Sequence, residues 1–352
     1  MLHPDFKLNG TTFPSSELLS SYALQLIKIG ASDEVSVGKF ILEWLNSNEF
    51  IEVKTSGSTG KPKPIKLLKK HVRNSALATA AFFDLNARTK ALLCLPSDYI
   101  AGKMMLVRAM IAGWDIYITS PGKNPLKGIE IEFDFAAMVP YQVHHSISEM
   151  HKVKKMIVGG GAVSPLLEEK LQHLNTSVYA TYGMTETISH IAIRSLNGSK
   201  RSSIYQALPD VKFSQNQNSC LLIDAPKISE ETVNTNDVVE LLSDKSFRLL
   251  GRIDNVINTG GVKVHPEQVE EKLATQIKQP FFIASEKDEM LGEKVVLILE
   301  SAEDVDVSMF TQIFETLFKY EKPKKVLTTP TFIYTETGKI KRKAVLNRIY
   351  TV

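Results

Sequence analysis

The chain has little cysteine: two residues in 352, Cys94 and Cys220, neither in a metal-ligand spacing. That excludes a disulfide framework, and both thiols read as reduced, buried small residues. Long apolar runs are also missing. The longest candidate, 104–118, is interrupted by Arg108 and Asp115 and falls short of the ~18 residues a membrane-crossing helix needs. Met1 to Thr12 shows no basic stretch followed by an apolar one, so no signal peptide is read there. These absences predict a cytoplasmic protein with no membrane partner. Nor does one sign of charge dominate: 42 Lys and Arg stand against 39 Asp and Glu, for a net charge of +3. The charges are dispersed, whereas a nucleic-acid binder concentrates them in a stripe, so no nucleic-acid partner is expected. Two basic clusters, at 61–70 and 339–343, fall inside motifs treated below. No internal repeat or low-complexity segment is present.

What is present is alternation. With 43% hydrophobic residues the chain can bury a core, and its length predicts two domains. Residues 15–48 carry apolar side chains at helical spacing. Strands are then expected at 50–53, 91–95, 115–118, 135–139, 156–158 and 178–181, with helices at 69–83, 103–112 and 165–174. Strands alternating with helices indicate an α/β fold with a mostly parallel sheet flanked by helices. After about residue 200 the pattern becomes short strands, 221–223, 238–241 and 247–250, joined by turns, which reads as antiparallel. From Gly251 onward a smaller α+β unit is expected, with helices at 266–276 and 308–319 and strands at 280–285 and 294–300. The predicted domains are therefore 1–250 and 251–352.

Between the first strand and the next helix lies Thr55-Ser56-Gly57-Ser58-Thr59-Gly60-Lys61-Pro62-Lys63. Two glycines allow close backbone approach, the hydroxyls donate hydrogen bonds, and the lysines supply charge, a set suited to polyphosphate. The spacing is not that of a Walker A loop, and a surface turn is the competing reading. Farther on, Tyr182-Gly183-Met184-Thr185-Glu186-Thr187 follows a strand, offering a ring for a purine, a hydroxyl for phosphate and a carboxylate for Mg²⁺. A helix cap at Thr185 is compatible with the same residues.

These two segments resemble the phosphate loop and the Tyr-Gly-x-Thr-Glu motif of the adenylate-forming superfamily: acyl-CoA synthetases, luciferases and nonribosomal adenylation domains. Other segments follow in the same order. Gly159-Gly160-Gly161-Ala162 is similar to the run lining the adenine and acyl pocket. Asn234-Thr235-Asn236-Asp237 resembles Thr-Gly-Asp, with Asn236 in the glycine's place. Gly251-Arg252-Ile253-Asp254, then Gly260-Gly261, resembles the domain-junction motif. Thr337-Gly338-Lys339-Ile340 resembles the terminal Gly-Lys motif. The likeness covers roughly 50–345.

The resemblance implies ATP, Mg²⁺ and CoA as cofactors and a small carboxylic acid as substrate. It implies that Thr55, Ser56, Gly57, Ser58, Thr59, Gly60 and Lys63 cradle phosphate, and that Tyr182 packs on adenine beside Gly160 and Gly161. Thr185 would touch the α-phosphate and Glu186 hold the metal. Asp237 and Arg252 would bind ribose, Asp254 act as hinge, and Gly260 and Gly261 border the CoA path. Lys339 becomes the mobile catalytic lysine, and 251–352 a mobile lid. Two departures stand out. Only 54 residues precede Thr55, so the N-terminal part is shortened and a partner subunit would cover the surface; a homo-oligomer is left open. Pro64 replaces the usual glycine and stiffens the loop exit.

Within the superfamily, Gly-Met-Thr-Glu-Thr-x-Ser (183–189), the glycine run and Leu95-Pro96 through Arg108 look most like the ligases that convert o-succinylbenzoate to its CoA thioester in menaquinone biosynthesis. That acid has a second carboxylate, which Arg108 or Lys103 would pair; a helix-surface arginine is the even alternative. Gly183 and His190 would line the acid pocket. The histidine many relatives carry near Tyr99 is absent here. Another aryl- or fatty-acyl-CoA ligase, a carrier-protein adenylation enzyme, and a non-catalytic scaffold of the same fold are the competing readings.

Overall fold

The structure is a computed structural model and describes residues 2–54, 64–334 and 340–351. Two short strands, β1 (Lys7–Leu8) and β2 (Thr11–Thr12), precede helices α1 (Ser16–Ile29) and α2 (Ser32–Leu45). Sequence periodicity reads this region as one helix, but Gly30 ends the first, and the Glu34 carboxylate turns back to accept the Ala31 N–H at 2.9 Å. The capping contact starts a second helix, which folds back onto the first. Close packing follows from Gly38, where a Cβ would lie 2.6 Å from the Ala23 carbonyl oxygen.

A hairpin comes next, β3 (Phe50–Lys54) and β4 (Pro64–Leu68), then α3 (Lys69–Phe82), β5 (Lys90–Leu93), α4 (Ile100–Ala112) and β6 (Asp115–Ile118). The chain continues through β7 (Phe133–Met138), α5 (Pro140–Ser146), β8 (Val153–Val158), α6 (Pro165–Leu171) and β9 (Ser177–Gly183). Strands β10 (His190–Ser195), β11 (Ile204–Ala207), β12 (Lys212–Gln215), β13 (Cys220–Asp224), β14 (Val233–Ser243) and β15 (Ser246–Arg252) complete this part. They form one thirteen-stranded sheet in the order β12-β13-β14-β15-β11-β10-β9-β8-β7-β5-β6-β1-β2.

From β9 to β1 every neighbouring pair is parallel, and from β9 outward to β12 every pair is antiparallel. The α/β expectation holds, but the parallel and antiparallel regions share a single sheet, and β9 is the strand where the pattern changes. The loops following β5, β7, β8 and β9 therefore leave from the same carboxyl edge, the edge where parallel α/β sheets bind ligands. Helices α3 and α4 pack against each other, with Met104–Val107 and Ala109–Met110 of α4 fully buried.

Beyond β15 the chain passes a 3-10 turn, Ile253–Asn255, into β16 (Ile257–Thr259), β17 (Val262–Val264), α7 (Pro266–Leu273), β18 (Phe281–Asp288) and β19 (Gly292–Glu300). The short α8 (Thr311–Phe314), β20 (Lys325–Thr329) and α9 (Arg342–Thr351) follow. This second sheet runs β17-β16-β19-β18, with β20 parallel to β19. Alternation on β18 and β19 sends Ile283, Val295 and Leu297 into the cluster with Val269 and Phe314, and Phe282, Val296 and Ile298 into the opposite one with Phe332 and Val345. The helix expected at 308–319 is the exception. It reaches Phe314 and then tightens into i→i−3 turns, with the N–H groups of Glu315, Thr316 and Leu317 bonded to Gln312, Ile313 and Phe314. Phe310, Phe314 and Leu317 still face the core, so the apolar spacing was a true signal of burial and a poor one of helix length.

Candidate active site

Tyr182, near the end of β9, is buried, with its ring edge-on to Phe247 at 5.1 Å and Tyr205 at 5.8 Å. Its hydroxyl donates to Asp237 Oδ2 at 2.6 Å. Burial, reinforced by the Asp237 carboxylate, pushes the phenol far above its ordinary value, so it stays a donor. Asp237 on β14 and Arg252 on β15 are register partners, and Arg252 Nη1 lies 3.5 Å from Asp237 Oδ1. Arg252 Nη2 also reaches Asp254 Oδ2 at 2.9 Å. The Thr235 hydroxyl accepts the Asp237 N–H at 3.1 Å within β14, where Asn236, in the glycine's place, is part of the strand. A carboxylate and a guanidinium on adjacent strands beside a phenol make a set able to grip a vicinal diol.

The segment between β9 and β10 is tightly built. Thr185–Thr187 forms a 3-10 turn, pinned by the buried Thr187 hydroxyl, which accepts the Met184 N–H at 3.0 Å and donates to the Ser189 carbonyl at 2.9 Å. Thr185 is half-buried. The Glu186 carboxylate is exposed and has no hydrogen-bonding or ionic partner among the described residues. One free carboxylate beside the carboxyl edge of the sheet suits Mg²⁺, which takes one or two protein oxygens and fills its shell with phosphate and water. The next residue, Ile188, has φ +64° and ψ −55°, and the Ser189 N–H bonds to the Thr187 carbonyl at 2.6 Å. This is a γ-turn of the positive-φ kind, strained for a β-branched residue. Gly183 makes room for it: a Cβ there would sit 2.2 Å from the Ser189 carbonyl oxygen.

The γ-turn brings Ser189 and His190 into contact with α3 and α4. Arg108 is 2% exposed and donates from Nη2 to Ser189 Oγ at 3.1 Å and from Nη1 to Met105 Sδ at 3.6 Å. Its Nε has no partner, and no carboxylate pairs with it among the described residues. Burial pulls its pKa from 12.5 down to about 9. His190 Nε2 lies 3.2 Å from Thr79 Oγ1. The Thr79 hydroxyl donates to the Ser75 carbonyl at 3.1 Å, which leaves its oxygen to accept from His190 and places the imidazole proton on Nε2. Burial and the nearby Arg108 hold His190 well below its usual pKa, so it is neutral. Ser75 Oγ donates to Ser189 Oγ at 3.3 Å. A buried cation without a carboxylate partner, bonded to one hydroxyl and close to a neutral histidine, is chemically able to receive an anion.

Tyr182, Asp237 and Arg252 come together, and so do Gly183, Arg108 and His190. The helix-surface reading of Arg108 is wrong, because α4 is buried around its whole circumference. Lys103 is committed elsewhere: its Nζ pairs with Glu43 at 2.7 Å and donates to the Glu52 carbonyl at 2.8 Å. Gly160 and Gly161 follow β8 at the same sheet edge and are exposed. Asp254 sits in the turn between the two sheets, and Gly260 and Gly261, at φ +58° and +81°, close the β16–β17 hairpin. Thr55, Ser56, Gly57, Ser58, Thr59, Gly60, Lys63 and Lys339 lie outside the described residues. Their flanks are fixed by the pairings of Lys54 with Pro64 and of Tyr334 with Ile340. Ser75, Thr79 and Ser189 had no assigned role in the sequence reading. Two hydroxyls four residues apart on α3, both buried, were the available signal.

A model of the AMP-binding enzyme family matches residues 54–214. The chain is 25% identical to the 2-succinylbenzoate–CoA ligase of Escherichia coli K12, over 95% of this chain and 74% of that one. It is also 25% identical to the enzyme of that name from Staphylococcus epidermidis RP62A, over 89% and 72%. Among solved structures it is similar to an acyl-CoA synthetase (AMP-forming)/AMP-acid ligase II-like protein from Dyadobacter fermentans. The two are 34% identical with a TM-score of 0.63, covering 94% of this chain and 98% of the other. The o-succinylbenzoate CoA synthetase of Bacillus subtilis with its acyl-adenylate intermediate shares the fold at 20% identity and TM-score 0.72, over 84% and 68%.

Proposed function

The chain belongs to the AMP-binding enzymes, as an AMP-forming acyl-CoA synthetase, and from that premise we propose that it joins o-succinylbenzoate to CoA through an o-succinylbenzoyl adenylate. The observation that carries the choice of acid is Arg108, a buried guanidinium without an anion, 3.1 Å from Ser189. A monocarboxylic acid is activated at its only carboxylate and leaves that cation uncompensated. A diacid fills the site with its second carboxylate, held by Arg108 and the Ser189 hydroxyl, beside His190, whose Nε2–H is taken up by Thr79.

At the nucleotide end, Asp237 and Arg252 exchange their mutual contact for the ribose hydroxyls of ATP, and Tyr182 walls the adenine beside Gly160 and Gly161. The Thr55–Gly60 loop and Lys63 take the phosphates, with Thr185 at the α-phosphate. Glu186 holds Mg²⁺, which when bound neutralises phosphate charge. The substrate carboxylate oxygen then bonds to the α-phosphorus, and pyrophosphate leaves with the bonding electron pair. Both reactants are anionic, so the barrier is largely electrostatic, and Lys339 supplies positive charge where the oxygens meet. In the second step the CoA sulfur attacks the acyl carbon, AMP leaves, and the thiol proton passes to solvent. Residues 251–352 act as a lid turning at Asp254, exchanging Lys339 for the Gly260–Gly261 hairpin between steps. We place the enzyme in the cytoplasm, where its nucleotide and thiol substrates are found; among the described residues no helix is long and apolar enough to cross a membrane.

The test is AMP release with MgATP, CoA and o-succinylbenzoate, beside benzoate, phenylacetate and a fatty-acid series. CoA-dependent turnover highest with o-succinylbenzoate supports the reading. A higher kcat/KM with any monocarboxylic acid overturns the assignment of the acid.

A further inference from the structure

The hydrogen bonds beside Arg108 run in directions fixed by where each proton can go. Ser189 Oγ lies 3.1 Å from Arg108 Nη2 and 3.3 Å from Ser75 Oγ. A guanidinium only donates, so one lone pair of the Ser189 oxygen is taken by Arg108. The second bond joins two hydroxyls, each with one proton to place. Ser75 is 0% exposed, and its hydroxyl has no other acceptor among the described residues, whereas Ser189 is half-buried. A proton turned away from Ser189 on the Ser75 side would be buried without a partner, while the Ser189 proton can meet solvent or a ligand. Ser75 therefore donates, and the second lone pair of Ser189 is taken too.

One turn of α3 holds this arrangement in place. Ser75 and Thr79 share a face at i and i+4, and the Thr79 hydroxyl donates to the Ser75 carbonyl while its oxygen meets His190 Nε2. The neighbours Ser189 and His190 are thus each tied to α3, one through Ser75 and the other through Thr79. The consequence is chemical. With both lone pairs filled, Ser189 has only its O–H left to offer. Arg108 has spent two of the guanidinium's five N–H donors, on Ser189 and Met105, and the rest are donors as well. Arg108 and Ser189 together present donors and no acceptor. A carboxylate, all acceptor, matches both. A carboxamide of the same shape cannot, because one of its two ends carries N–H groups that oppose the donors facing them.

We propose that Ser75 is a specificity-determining positioning residue: by filling the second lone pair of Ser189 Oγ it locks that hydroxyl as a donor, so that the subsite admits a carboxylate and rejects the isosteric carboxamide. This rests on the reading that Arg108 and Ser189 hold the acid's second carboxylate. The experiment uses the full chain and measures kcat/KM by AMP release for o-succinylbenzoate and for its monoamide, in which the carboxylate that is not activated becomes a carboxamide. The unaltered protein should prefer the diacid by at least about a hundredfold. Ser75→Ala releases one lone pair of Ser189 to accept a carboxamide N–H, so the preference should fall by about tenfold or more, with kcat/KM for the monoamide rising. Should that variant not fold, Ser75→Cys, a much weaker donor, carries the same expectation. Ser75→Thr keeps the donor and should keep the preference within about threefold. No preference in the unaltered protein, an intact preference in Ser75→Ala, parallel losses with both compounds, or equal falls in the alanine and threonine variants would overturn the inference. Ser189→Ala and Arg108→Met test the reading beneath it. If neither lowers kcat/KM for o-succinylbenzoate, the second carboxylate is held elsewhere and the inference falls with that reading. If both lower it while Ser75→Ala keeps the preference, the inference alone falls.

Discussion

Replacing Arg108 with methionine should make the unliganded protein more stable and the diacid a poor substrate. Its pKa falls from 12.5 to about 9, which corresponds to an energetic burden on the order of 5 kcal/mol on the charged form, an upper bound. Exchanging buried charges for apolar groups of similar volume gains roughly 1–4 kcal/mol in comparable cases. At about 2 °C per kcal/mol for a chain of this size, the melting temperature should rise by about 2–8 °C. The substrate effect has the opposite sign. Losing the partner of a buried carboxylate costs about 3–5 kcal/mol, which lowers kcat/KM for o-succinylbenzoate by roughly 10²–10⁴. Benzoate makes no such contact and should change by less than about threefold. Thermal melts with and without o-succinylbenzoate, and AMP release with the two acids, measure both. The reasoning is refuted if the variant melts lower and the two acids lose activity in parallel.

His190 gives a pH dependence of known sign. Its folded pKa lies well below 6.5, so below pH 6.5 the unfolded chain binds the extra proton first and stability is lost as the pH falls; denaturant midpoints from pH 7.5 to 5 should drop, and His190→Gln should flatten the slope. Gly183→Ala would place a Cβ 2.2 Å from the Ser189 carbonyl oxygen, so it should cost about 2 kcal/mol or more in denaturant melts and raise KM for the diacid. Lys103→Met breaks the pair with Glu43 and should destabilise by roughly 1–3 kcal/mol, yet it should leave the ratio of diacid to benzoate kcat/KM within about twofold, unlike Arg108→Met.

Contiguous motifs were the legible part of the sequence. Tyr182 to Thr187 occupies one strand end, so its chemistry can be read from neighbours in the chain. The Asp237–Arg252 pair needs the β14–β15 register, which turn signals do not supply, and it came instead from family resemblance. Ser75 and Ser189 meet across 114 residues, a contact no local pattern encodes. Arg108 shows how a periodicity argument fails: α4 is apolar on every side, so no polar face marks the charge as buried or exposed. A cation in such a helix is itself the signal, since burial of the whole element forces it inward, as it does Arg108 and Lys103. At 15–48 the missed feature was smaller, a glycine and a returning glutamate that split one amphipathic pattern into two helices.

The change from parallel to antiparallel pairing at β9 has a consequence for how specificity diversifies. In the proposed reaction the connection from Gly183 to His190 serves both substrates, Thr185 and Glu186 the nucleotide and Ser189 the acid, with the γ-turn at Ile188 between them. Everything else facing the acid's second carboxylate comes from α3 and α4, which contribute no residue to the ribose grip. Lineages could therefore exchange Ser75, Thr79 and Arg108 for other side chains and acquire new acids while inheriting the ATP machinery unchanged. Alterations at Ile188 would disturb both substrates together, which makes that turn the point where selection on either one constrains the other.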